Sequence, residues 1–128
     1  MSGLSSAINR QLEIIGQRNN YQVRLAQQGT EPQLDPNVAQ TLFRIVQEAL
    51  NNVERHARAS NVIVTLANKV DGVSVAVNDD GVGFDVSTLD DERFGMRGMR
   101  ERAEMIGAHL RVDSSTGKGT TVTVTLKK

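Results

Sequence analysis

Three segments of this 128-residue chain carry apolar residues at every second position, and that alternation is the tightest constraint on its fold. Val62, Val64 and Leu66 are interleaved with polar or small residues, as are Val73, Val75 and Val77, and again Val122, Val124 and Leu126. A strand sends successive side chains to opposite faces, so each segment has one dry side and one wet side. A sheet built from such strands covers one face and leaves the other to water, which puts every helix on the same side. Asp71-Gly72, between the first two segments, reads as a hairpin turn. Shorter stretches at 21–25 and 110–112 add two further strands.

Helical periodicity fills the intervals. Leu42, Ile45, Val46, Ala49, Leu50 and Val53 recur at three and four residues, which predicts an amphipathic helix over about 36–57. Asp35-Pro36 starts it well, with Asp as N-cap and Pro at the first helical position. Leu4, Ile8, Leu12 and Ile15 predict a short helix within 4–18. Residues 95–107 read as a third helix, with Arg97/Glu101 and Arg100/Glu104 spaced as surface ion pairs. Residues 80–94 are rich in Gly and Asp and are expected to form a mobile loop; 114–119 is expected to turn. The order is helix, strand, helix, strand, strand, helix, strand, strand. Residues 1–20 form a linker or first-helix region, and 21–128 form the main part of a single domain.

Composition narrows the function classes. Lys plus Arg and Asp plus Glu both number 15, so a formal charge of zero gives no support to binding nucleic acid or a membrane surface. With no Cys there are no disulfides, thiolate zinc sites or cysteine nucleophiles, which is compatible with a cytoplasmic location. No apolar run approaches the ~20 residues of a membrane helix, and the N-terminus lacks a signal-peptide core. Tyr21, Phe43, Phe84 and Phe94 are the aromatic residues, too few for a stacking platform for single strands. A chain of this length buries roughly two-thirds of its unfolded surface, here with a core of Val, Leu, Ile and Ala.

Three motifs carry the chemistry. In Glu48-x-x-x-Asn52-x-x-Arg55-His56, a carboxylate and a carboxamide lie one turn apart on the flank of the apolar stripe. Asn52 suits magnesium, which takes oxygen ligands and leaves positions for phosphates and water. Glu48 could polarise a water or accept a proton; a solvated helix face is the competing and, for either residue alone, the weightier reading. Asp79-x-Gly81-x-Gly83 ends a strand; Asp79 shares the parity of Val73, Val75 and Val77, so it belongs to the core face and needs a partner. It could accept from an exocyclic amine, with the glycines letting backbone approach a base; an ordinary loop is the competing reading. Gly95-x-x-Gly98 before a helix offers N–H groups to phosphate, or marks a hinge. Gly117-Lys118-Gly119-Thr120 lacks the upstream glycine of a P-loop, since Val112 stands there. His56 suits the carbonyls at a helix end, and His109 is expected to be exposed.

Taken in order, the motifs resemble the catalytic ATP-binding domain of two-component sensor histidine kinases, closest to the nitrate/nitrite-sensor type, within the superfamily of gyrase, Hsp90, histidine kinase and MutL. Residues 42–57 resemble the N box, 79–84 the G1 box, 94–103 the G2 region and 117–121 the closing Gly-Thr segment. No box is specific alone; their order and spacing are. The resemblance covers about 20–126 and implies a Bergerat α/β (α+β) two-layer sandwich, a mixed five-stranded sheet with three helices on one face. It implies ATP and Mg2+ as ligands, with Asn52 on magnesium, Asp79 on the adenine amine and Gly81 and Gly83 beside the base. Arg55 falls at a phosphate-side position, Gly95 and Gly98 shape a lid, and Thr120 supports the adenine-side water network; the arginines at 93–102, interleaved with acids, read from the residues as a solvated face, with Arg97 or Arg100 also able to clamp phosphate. Glu48 matches the acidic N-box position, as base or as holder of a magnesium-bound water.

Two departures stand out. Arg55 replaces the common Lys, a fork in place of a point donor, and Gly107-Ala108 replaces a Gly-Gly pair. No helix carries a His followed by an acid, so the expectation is an excised catalytic domain. Its partners would be the histidine-bearing dimerisation domain of a parent kinase and a response regulator. An ATP-sensing interaction module without phosphotransfer, or a serine kinase of the anti-sigma-factor type, are the alternatives.

Overall fold

The computed structural model of the protein describes residues 3–84 and 96–128. Helix α1 (Leu4–Asn19) leads into strand β1 (Gln22–Gln28), and helix α2 (Pro36–Asn52) runs on into a π turn, Val53–Ala57. Strands β2 (Asn61–Lys69) and β3 (Gly72–Asp79) follow, then α3 (Met96–Met105), β4 (His109–Ser114) and β5 (Thr120–Lys127). The sheet order is β1-β2-β3-β5-β4, with β1 parallel to β2 and every other neighbour antiparallel. This is the expected mixed sheet with three helices.

One face of the sheet and the inner faces of the helices make a single core. Val62, Val64 and Leu66 stand opposite Asp79, Val77 and Val75, and Val75 and Val77 in turn face Val124 and Val122. Leu42, Ile45, Val46, Ala49, Leu50 and Val53 of the second helical segment cover them. The strands' polar alternates, such as Asn61, Asn78 and Arg111, remain exposed. Asp35 caps α2 by accepting from the Asn37 amide at 2.8 Å, with Pro36 in the first turn.

The first helix belongs to this core. Ile8, Leu12 and Ile15 are fully buried and Leu4 nearly so, and Gly16 lets α1 lie close on Val23 of β1. Asn20 ends the helix in the left-handed region, its N–H donating to the Gly16 carbonyl. Leu4–Asn19 therefore form a helix packed into the core.

Three elements differ in detail from the expectation. The 36–57 helix ends its α-helical part at Asn52, and its last turn widens into the π turn. The β2–β3 hairpin turns on Val70 and Asp71, one residue early. Gly72 opens β3, where a Cβ would press on the Leu126 carbonyl oxygen of β5 at 2.7 Å. In α3, Met96 and Met99 are buried core residues beneath the charged pairs that mark the helix's outer face.

Candidate functional site

Asp79 closes the buried face of β3 and is the buried charged residue among those described, 4% exposed. The chain then turns sharply, and the Gly81 N–H donates back to Asp79 Oδ1 at 2.8 Å. Burial is the main reason its carboxyl pKa is raised; the neighbouring Asp80 raises it further, while the Gly81 and Thr120 amides pull the other way. Asp80 points elsewhere. It accepts from the amides of Ser60 and Asn61 and from the Asn61 side chain, at 2.7–2.8 Å, which ties the start of β2 to the end of β3 and lowers its pKa.

The turn after Asp79 is seated between two other segments. On one side the Val82 N–H donates to the Ala57 carbonyl, the last residue of the π turn, at 2.7 Å. A Cβ at Gly81 would overlap that carbonyl. On the other side the Gly117 N–H donates to the Val82 carbonyl at 2.6 Å. Gly83, at φ +65°, could carry no Cβ without striking the Ser115 carbonyl. The glycines of the Asp79–Gly83 motif thus answer first to close approach within the chain.

Ser114 locks this seam. Its hydroxyl donates to the Gly119 carbonyl at 2.9 Å, the Phe84 amide donates to it at 2.9 Å, and it lies 2.8 Å from the Thr120 hydroxyl. Thr120 in turn stands opposite Asp79 in the β3–β5 register. Gly117-Lys118-Gly119 is accordingly the β4–β5 turn. Asp79, Gly81, Gly83 and Thr120 are brought together as one group.

The α2 residues form a second group, joined to the first through the π turn. Glu48 and Asn52 are half-buried on one flank of the helix. Glu48 also borders a polar cavity of about 190 Å3 with Arg44, Gln47 and Asn51 of α2, Gln11 of α1 and Arg102 of α3. Arg55 is exposed on the π turn and lowers the pKa of Glu54 beside it. Arg97 is exposed and pairs with Glu101 at 3.2 Å, as its spacing predicts. Gly98 lies inside the first turn of α3, where a methyl group would meet only the mobile end of Arg102 at 3.3 Å. Gly95, and most of the expected 80–94 loop, lie outside the described residues. His109 opens β4 and is exposed, as expected.

Sequence reading passed over Glu54, Arg18, Asn19 and Ser114. Arg18 grips Glu54 with both ends of its fork, Nε to Oε2 at 2.9 Å and Nη2 to Oε1 at 2.8 Å, and Asn19 Nδ2 donates to the same carboxylate at 2.5 Å. These bonds lower the Glu54 pKa against a desolvation that opposes them. No spacing rule connects residues so far apart in the chain.

Among the described residues, no three His, Cys or acidic side chains gather to hold a metal ion unaided. A carboxamide such as Asn52 suits a cation that arrives with phosphate oxygens, the donor set magnesium prefers. The shielded Asp79 carboxylate, held by backbone N–H groups, suits an amine donor.

Residues 37–128 match the family model described as histidine kinase-, DNA gyrase B-, and HSP90-like ATPase. The sensor histidine kinase LiaS of Bacillus subtilis is 43% identical over 91 residues, 71% of this chain and 25% of that protein. The histidine-protein kinase/phosphatase DegS of Brevibacillus brevis is 30% identical over 124 residues, 97% of this chain and 32% of its own. The chain thus spans about a quarter to a third of the length of these relatives. The histidine kinase domain of the Erythrobacter litoralis EL346 blue-light activated kinase has the same fold, with a TM-score of 0.75 at 23% identity over 98% of this chain and 65% of that one.

Proposed function

We propose a function from one premise: the chain belongs to the family of histidine kinase-, DNA gyrase B-, and HSP90-like ATPases. It is the ATP-binding catalytic domain of a sensor histidine kinase, presenting the γ-phosphoryl group of Mg-ATP to a histidine on a separate dimerisation domain, from which it passes to a response-regulator aspartate. The observation that carries this is Asp79, a carboxylate buried at the seam of three chain segments and held by backbone amides rather than by a cation of its own.

Each residue then has a task. Asp79 accepts from the adenine amine, and the 81–83 turn forms the floor beneath the base, with Thr120 orienting water beside it. Asn52 would hold Mg2+, which would neutralise phosphate charge there. Glu48, one turn earlier, would orient a water beside that ion or take the acceptor's proton. Arg55 steadies phosphate oxygens with a fork. The α3 N-terminus, with no acid in its first turn, favours the phosphates, with Gly95, Arg97 and Gly98 at the lid. The finer placement in the nitrate/nitrite-sensor type rests on the 42–57 and 94–103 boxes. No described helix is long and apolar enough to cross a membrane; a cytoplasmic position for this domain follows from its need for ATP.

Calorimetry with Mg-ATP on the chain tests the reading. Saturable binding that requires Mg2+ and disappears in Asp79→Asn is expected; unchanged affinity in that variant would remove the adenine assignment. Joined to a dimerisation domain bearing its histidine, the chain should leave acid-labile phosphate there. Binding without label would point instead to a sensing module.

A further inference from the structure

We propose that Arg18 and Asn19, at the end of α1, are positioning residues for the base pocket, acting through Glu54 to hold the π turn that seats the Asp79–Gly83 turn. The proposal rests on the ATP site described above and concerns residues outside the stretch that the family model matches.

The mechanical path is continuous. Glu54 is the second residue of the π turn, and its side chain is 16% exposed despite lying at the surface end of the fold. Three donors from α1 converge on it, two from the Arg18 guanidinium and one from the Asn19 carboxamide. Asn19 Nδ2 also donates to the Ile15 carbonyl at 2.9 Å, which fixes the carboxamide to its own helix. Three residues beyond Glu54, the Ala57 carbonyl receives the Val82 N–H and abuts Gly81. Gly81 is the residue whose amide holds Asp79. Four links therefore run from α1 to the carboxylate that meets the base.

The π turn needs such a brace. A π turn is rare and occurs mostly as a single turn within an α-helix, frequently at functional sites. It ends on Arg58, a left-handed residue at φ 51°, and its last carbonyl, that of Ala57, is met by the Val82 N–H. Tyr21, half-buried just ahead of β1, reports that the two acids share one neighbourhood. Burial raises its phenol pKa first, and both Glu54 and Asp79 raise it further. On the α1 side, the helix is itself rigid, since Leu12 and Ile15 anchor it in the core. A brace between a buried helix and a widened turn is the arrangement that holds ligand-contacting backbone in place.

The test measures Mg-ATP affinity by calorimetry, and melting temperature without nucleotide, for the 128-residue chain and its Arg18→Ala, Glu54→Gln and Arg18→Lys variants. Because the Arg18 side chain is 58% exposed, truncating it opens no cavity, so that variant keeps the test alive should Glu54→Gln fold poorly. Arg18→Ala and Glu54→Gln should each raise the Kd roughly fivefold, the most that an ion pair screened by solvent supports. Their combination should add little, since both act through one link. Arg18→Lys keeps the charge without the fork and should fall between. The preference for ATP over GTP should shrink in the same variants, a change that a purely structural brace would not produce. Kd and base preference unchanged within about twofold, with only the melting temperature lowered, overturns the proposal. An unmodified chain that fails to bind Mg-ATP removes the site reading and the proposal together; binding that is equal in all variants removes the brace alone.

Discussion

Glu54, on the π turn, and Asp79, at the end of β3, are both shielded carboxylates, and their surroundings shift their pKa values in opposite directions. Glu54 is met by a guanidinium fork and a carboxamide, so hydrogen bonds to its charged form outweigh its desolvation. Asp79 is buried more deeply, its companion charge is another acid, and its support comes from backbone amides. One acid has been completed by the fold. The other keeps the unfavourable balance that a bound donor would relieve, which makes it a candidate for a functional site.

That contrast can be tested from its strongest consequence downward. Asp79→Asn keeps an acceptor for the Gly81 amide but turns an amine toward the ligand. Nucleotide a hundredfold above Kd should stabilise the unmodified chain by about 2.7 kcal/mol, a rise in melting temperature of roughly 10 °C. In the variant that rise should vanish while the nucleotide-free melting temperature stays level or climbs. A nucleotide-free protein made much less stable by the change would mean that the fold needs the charge.

Gly81→Ala attacks the link between the two regions. The added methyl must displace the Ala57 carbonyl, at a cost of about 1–3 kcal/mol for an overpacked site. Urea unfolding reads that loss, and nucleotide affinity should fall with it. Were the variant as stable as the parent, the seam would be looser than its contacts indicate. Glu54→Gln should cost less, about 1 kcal/mol or below, because Arg18 is well exposed and solvent screens the pair.

The smallest effect is on pH dependence, and its sign differs between the two acids. The Asp79 pKa is raised on folding, so the stability it contributes is present below its unfolded pKa and is lost as pH rises through the folded value. The Glu54 pKa is lowered, so its contribution is present above the unfolded pKa and is lost as pH falls through the folded value. Urea midpoints between about pH 3 and 7 should therefore show Asp79→Asn removing a loss on the rising side, and Glu54→Gln removing one on the acid side. Matching slopes in the two variants would contradict the contrast.

Much of the architecture was legible because its signals are local. Valine alternation marks the covered face of each strand, and Asp79 could be assigned to that face by parity alone. Asp35-Pro36 announces its helix start through capping geometry that involves near neighbours. The end of α2 was not legible, since Val53 and Ala57 keep an i,i+4 spacing that fits an α-helical turn and a wider one alike. Its π geometry answers to contacts from Val82 and α1, which are distant in sequence. Met96 and Met99 were hidden in a segment whose arginines and glutamates dominate its pattern. The hairpin slipped by one residue because Gly72 reads as a turn signal, whereas its small size serves the approach of β5.

The order of the residues alone determined a one-sided sheet of five strands, the helices that cover it, and the motifs that mark its ATPase family. Periodicity and motif spacing act over a few residues, and a chain carries that information along its length. The tertiary structure decided which backbone the glycines admit, which acid is satisfied by an arginine on another helix, and how a first helix far from the motifs reaches the π turn that seats the turn after Asp79. Those outcomes depend on segments that meet only after the chain has packed, through contacts whose geometry no local pattern encodes.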